Sequence, residues 1–147
     1  MTPPEAAAFL AAQRVVICAT SGPRGWPHLM PLWYVIREGE LWAWTYSKSQ
    51  KVRNLERDPR ATLQVESGEL YQELRGVMIE ARARIHRDPG LVAVLGAELL
   101  TRYAGGSGED RDAVIDAVRT QSAKRVALQF VAERTTSWDH RKLEGTY

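Results

Sequence analysis

The sequence predicts an α+β domain on six antiparallel strands, enough to close a small barrel, with short peripheral helices around it. Three observations carry this. Period-two alternation marks the strands, most clearly in 76–86, where Ile79, Ala81, Ala83 and Ile85 alternate with Glu80, Arg82, Arg84 and His86. Hairpin signals join neighbouring strands, as at Glu38-Gly39-Glu40. The strand–helix alternation of a parallel sheet is missing, and no Gly-x-Gly-x-x-Gly follows a strand.

The elements follow in order. Thr2 can cap a helix that Pro3 opens, and Glu5 completes a Thr-x-x-Glu capping box before the run 6–12. The strand VVICAT (15–20) ends in the turn SGPRG (21–25). Pro27–Arg37 is the second strand and LWAWTY (41–46) the third, with Trp33 and Tyr34 expected near Trp42 or Trp44 across the ladder. A short helix from Gln50 to Arg57 is stopped by Asp58-Pro59, and a fourth strand occupies 61–67. After the turn Ser67-Gly68-Glu69 comes the alternating strand 76–86. Asp88-Pro89 then starts a helix with Leu91, Val92, Leu95, Leu99 and Tyr103 on one face. A loop (AGGSGED, 104–110) leads to a helix over 111–121 with Val114, Ile115 and Val118 inward. The last strand is 124–131, with Val126, Leu128 and Phe130 on one face, and 135–147 shows no periodicity.

At 147 residues, 44% hydrophobic and 26% charged, residues 1–147 make one ordinary globular domain. A net charge of +2 gives no support for a nucleic-acid partner. Its distribution is more telling, because residues 48–60 hold five basic side chains against two acidic ones. That local excess suits a small anion better than a long polyanion. Cys18 is the sole cysteine, so no internal disulfide forms, which fits a reducing cytoplasm. Neither a secretory signal nor an apolar run of the roughly 18–20 residues that span a membrane is visible.

The stretch with the most chemistry is 41–66. Helix starts carry partial positive charge and normally attract acids. Here Ser49 occupies the N-cap position, Lys51 lies in the first turn, Lys48 and Arg53 flank it, and nothing acidic appears before Glu56. Together with Gln50 and the hydroxyls of Thr45, Ser47 and Ser49, this start is suited to a phosphate. A solvated basic turn is the plainer alternative. Elsewhere no Gly-x-Ser-x-Gly appears, and His28, His86 and His140 have no metal-ligand spacing. No catalytic side chain and no metal site are identified, a pattern that suits a cofactor bringing its own reactivity. The aromatics Trp33, Tyr34, Trp42, Trp44 and Tyr46 crowd two adjacent strands, as barrel core and dimer interface or as a flat-ring site.

Three segments, PHLMPLWYVI (27–36), SQKVRNLERDPR (49–60) and SWDHRKL (137–143), resemble the split-barrel flavin and deazaflavin oxidoreductases of the pyridoxamine 5′-phosphate oxidase-like superfamily. The similarity is greatest to a short actinobacterial-type branch, many members of which use coenzyme F420. The resemblance implies an FMN-binding split barrel and a homodimer with the cofactor between subunits. It also implies hydride transfer to or from a small conjugated molecule, with F420 as cofactor and FMN as the alternative. Lys51 would be the main phosphate cation, with Ser49, Gln50 and Thr45, while Pro31, Leu32 and Trp33 run along the ring. Trp138, His140 or Arg141 would reach the partner's site. The F420 tail is polyanionic, and Arg14, Arg24, Lys48 and Arg53 would extend a basic groove for it. The chain is shorter than true pyridoxamine phosphate oxidases and lacks their C-terminal substrate segment. A non-catalytic flavin or heme binder is the other reading, with His140 as the axial candidate.

Overall fold

Six strands close into a barrel in which every neighbouring pair is antiparallel. They are β1 (Val15–Ser21), β2 (Pro27–Arg37), β3 (Glu40–Tyr46), β4 (Arg60–Ser67), β5 (Arg75–His86) and β6 (Arg125–Asp139), arranged β1-β2-β3-β6-β5-β4. Among the described residues four α-helices accompany them: α1 (Pro3–Ala12), α2 (Gln50–Arg57), α3 (Pro89–Tyr103) and α4 (Arg111–Ser122). The computed structural model describes residues 1–103 and 111–143, without the side chains of residues 111, 112 and 114. The loop expected at 104–110 and the side chain of Val114 lie outside the described residues.

Local chemistry explains the elements. Helix α1 begins on a complete capping box, with Thr2 N donating to Glu5 at 2.7 Å and Glu5 N to the Thr2 hydroxyl. Alternation sends Val16 and Cys18 of β1, Leu63 and Val65 of β4, and Leu128 and Phe130 of β6 into the barrel. Phe9 of α1 and Val52 and Leu55 of α2 join that core. Strand β3 reads as an unbroken apolar run because both of its faces are covered. Leu41 and Ala43 enter the barrel core, while Trp42 and Trp44 pack outward against Val92, Leu95 and Leu99 of α3.

Three expectations change. Strand β6 continues past residue 131 to Asp139, because its second half is held by the ladder with β5 rather than by buried side chains. A bulge at Glu80/Ala81 also breaks the period there. Tyr34 does not join the tryptophans: it pairs with Ala43 and points into the barrel core, while Val35 pairs with Trp42. On α4, Val118 is buried but Ile115 is 45% exposed.

Candidate functional site

Where β3 leaves the barrel, Ser47 N donates to Lys124 O at 2.9 Å, and Ser49 N to Tyr46 O at 3.0 Å. These bonds turn the chain into α2 with Ser49 at the N-cap. The Ser49 side chain makes no capping bond, and its Oγ is buried with no partner among the described residues. No acid lies in the first turn. Lys51 is buried, at 6% exposure, and its Nζ donates to Thr45 Oγ1 at 2.9 Å. Burial pushes the Lys51 pKa below its ordinary value. Nearby Cys18 is pushed up to about 12 by burial, so at neutral pH it is a thiol and supplies no counter-charge. Buried ammonium groups are ordinarily matched by an acid. This one has a neutral hydroxyl and, at the same helix start, an orphaned serine oxygen.

The rest of α2 is anchored by polar contacts with β1. Asn54, fully buried, donates to Thr20 Oγ1 at 3.0 Å and accepts from Gln50 Nε2 at 2.8 Å and Arg57 Nη2 at 3.1 Å. Arg57 also donates to Ser21 O at 2.9 Å. Helix α2 is therefore fixed at its far end, while among the described residues no side chain caps its N-terminus. Ser47 is half-buried beside them, and Lys48 and Arg53 are exposed with no ion pair among the described residues.

A further cation was not legible in the sequence. Arg125 stands opposite Tyr46 in the β3–β6 ladder, its guanidinium 4.3 Å from the Tyr46 ring centroid and 4.5 Å from that of Trp44. Its Nε is buried with no partner among the described residues, and its charge helps depress Lys51. A residue 79 positions downstream of Tyr46 can be placed here only by the strand order.

The β2–β3 ladder stops at Tyr34↔Ala43, so Pro31, Leu32 and Trp33 lie at the end of β2 nearest Thr45 and Tyr46, where the two strands no longer pair with each other. Only two of the three show a side chain outside. Pro31 and Trp33 are exposed, whereas Leu32 packs into the barrel core. Tyr103 of α3 stacks on Trp33 with centroids 4.4 Å apart and planes 7° from parallel. The Arg14 guanidinium lies 5.7 Å from the Tyr103 ring centroid and donates to Arg102 O at 2.8 Å.

The tail residues are fastened to their own chain. Trp138 packs over Gly76, where a Cβ would come within 2.2 Å of the indole. His140 Nδ1 lies 2.9 Å from Tyr71 O, and Asp139 binds Arg141 through both carboxylate oxygens. A cavity of about 540 Å³ lies elsewhere, beside the β1–β2 turn, lined in part by Arg60, Glu80 and Glu133 and by none of the expected cofactor-binding residues. Among the described residues, no group of three or more His, Cys, Asp or Glu is placed to hold a metal ion.

A family model described as pyridoxamine 5′-phosphate oxidase matches residues 2–139. A conserved hypothetical protein from Mycobacterium tuberculosis is 41% identical, with a TM-score of 0.88 over 100% of this chain and 90% of its own. Two more distant structures share the fold. A FAD-binding protein from Mesorhizobium loti is 19% identical, with a TM-score of 0.70 over 93% of this chain and 94% of its own. An F420 reductase is 21% identical, with a TM-score of 0.67 over 88% and 94%. No curated protein sequence matches the chain.

Proposed function

The chain belongs to the pyridoxamine 5′-phosphate oxidase family, and from that premise we propose that it is an oxidoreductase using coenzyme F420, acting as a homodimer on a small conjugated molecule. The observation that carries this reading is the uncommitted anion cradle at the start of α2: a buried Lys51 with a neutral partner, beside the orphaned Ser49 Oγ. A phosphate there would take charge-assisted bonds from Lys51 and Ser49 and N–H donors of the first turn of α2. Arg125 would add charge from the side, and Thr45 would hold the Lys51 ammonium in place. Pro31 and Trp33 would flank the ring, with Tyr103 fixing the indole plane. When bound, F420 supplies hydride chemistry at its deazaflavin ring. The protein's own part is to bind and orient that ring and to exclude water from one of its faces.

F420 is favoured over FMN by the exposed cations around the cradle. Lys48 and Arg53 have no acidic partner among the described residues, and a polyanionic tail would engage them where a single phosphate would not. Dimerisation is supported by the outer face of β1 and β2. There Val15 pairs with Trp33 and Ile17 with Pro31, and Val15, Leu29 and Trp33 are all exposed. No helix among the described residues is long and apolar enough to cross a membrane. The single buried Cys18 suits the reducing cytoplasm that this reading assumes.

Side-by-side titration of the cofactor-free protein with F420 and FMN, followed by fluorescence quenching, tests the proposal. Tighter F420 binding that weakens in Lys51→Ala is expected. Tight FMN binding with no detectable F420 binding overturns the choice of cofactor.

A further inference from the structure

Where β5 begins and β6 finishes, α1 lies across the strand ends and leaves a cavity of about 270 Å³. Arg75 and Asp139 face each other in the ladder there, an arrangement in which opposite charges ordinarily pair. They do not pair. The Asp139 carboxylate, 2% exposed, accepts from Arg141 Nε at 2.8 Å, from Arg141 Nη2 at 2.6 Å and from the Arg141 backbone N at 3.2 Å. Glu5, the other acid lining the cavity, receives Lys142 Nζ at 2.7 Å on both oxygens.

That leaves Arg75 without a carboxylate among the described residues. Its guanidinium instead lies over the Phe9 ring, 5.2 Å from the centroid. Three side-chain cations (Arg75, Arg141, Lys142) therefore face two acids at this end of the barrel, where Met1 also lines the cavity. The apolar part of the lining is small, made by Ala8 and Ala12 of α1 beside Phe9, and Met1 and Gln13 complete the lining.

We propose that this cavity binds a small carboxylic acid with an apolar body, its carboxylate on the Arg75 guanidinium and its hydrocarbon against Ala8, Ala12 and Phe9. A carboxylate completes the fork of Arg75 in the way that Asp139 completes that of Arg141. The volume falls below the ~300–1,000 Å³ of pockets for drug-sized ligands, so the occupant is about the size of a single ring or a short chain. None of Pro31, Trp33, Thr45, Ser49, Lys51 and Arg125, which the proposed cofactor site uses, lines this cavity, so this site and the F420 reading stand or fall separately.

Calorimetric titration of the full chain with benzoate, and with benzamide as the uncharged match, tests it. Benzoate should saturate one site per chain and benzamide should not bind. Arg75→Gln should weaken benzoate about tenfold or more, with Arg75→Lys intermediate. Ala12→Leu, which adds bulk to the lining and leaves every charge in place, should also lose binding, and melting curves of each variant confirm that it is folded. Equal binding of benzoate and benzamide, unchanged affinity in folded Arg75→Gln, or no benzoate binding by the parent overturns the proposal.

Discussion

Lys51 shows how a single buried cation can be read as both a cost and a function. Its ammonium has left water for one hydroxyl, and the folded protein holds its proton less tightly than the unfolded chain does. Between the folded and the unfolded pKa the unfolded chain binds more protons, so stability rises with pH through that window and is lowest below it. Cys18 and Tyr34, both pushed up to about 12 by burial, act in the opposite direction above their own ordinary values. Comparison of urea melts of the parent with Lys51→Met, across about pH 7 to about pH 10, isolates the lysine. The variant should lack the rise and be no less stable at neutral pH; an identical pH profile would show that Lys51 is not desolvated. For ligand binding, Lys51→Ala should weaken the preferred cofactor by about 1.5–3 kcal/mol, read as the shift in quenching midpoint.

Helix α3 sets two opposing effects against each other at Gly96. A glycine inside a helix ordinarily costs about 1 kcal/mol relative to alanine. Here, however, a Cβ would come within 2.3 Å of the Trp44 ring, which is itself buried between β3 and α3. Overpacking of that kind costs about 1–3 kcal/mol, so packing wins. Gly96→Ala should therefore lower the melting temperature, and a rise would mean that Trp44 has room to move. At its C-terminal end the same helix is tied to the barrel by Arg102, which donates to the carbonyls of Tyr34 at 2.9 Å, Ala11 at 2.8 Å and Gln13 at 2.5 Å. Tyr103 Oη adds an accepted bond from Tyr34 N at 3.1 Å. Arg102→Ala should cost about 2–4 kcal/mol and speed amide exchange in the last turn of α3 before it affects the opposite side of the barrel.

Among the described residues, the assembled domain leaves an apolar stretch of its sheet uncovered. Helix α3 covers β2, β3 and β6, whereas the outer face shared by β1 and β2 presents Val15, Leu29 and Trp33 to solvent. A second copy of the chain would bury that face, so a dimer at low micromolar concentration is expected from sedimentation, and Leu29→Glu should shift it towards monomer. A parent that sediments as a monomer would remove both the interface and the two-subunit cofactor site. Charge around the cradle makes a separate prediction. F420 affinity should fall more steeply with salt than FMN affinity, because more ion contacts are screened. The difference should shrink in an Arg14→Ala, Lys48→Ala double variant, and equal slopes in the parent would argue against a tail groove.

Local information sufficed wherever a segment's own periodicity and caps chose its conformation. The capping box of α1, the alternation of β5, the bounds of α2 and the turn at Gly39, with its φ of 79°, are all determined within a few residues. The cation-rich start of α2 was legible for the same reason, since Ser49, Lys51 and Arg53 are neighbours in the chain. Burial was not legible. Lys51 reads as a surface charge until the barrel closes over it, and Ser49 reads as a capping residue until its hydroxyl is seen without a partner. The second half of β6 has no apolar rhythm, because its conformation comes from backbone pairing with β5. Arg125 beside Tyr46, Tyr103 on Trp33 and Arg75 opposite Asp139 each join residues at least 64 positions apart. Such pairs are created by barrel closure and helix docking, whose register depends on the summed fit of every strand, so no local pattern in the sequence can announce them.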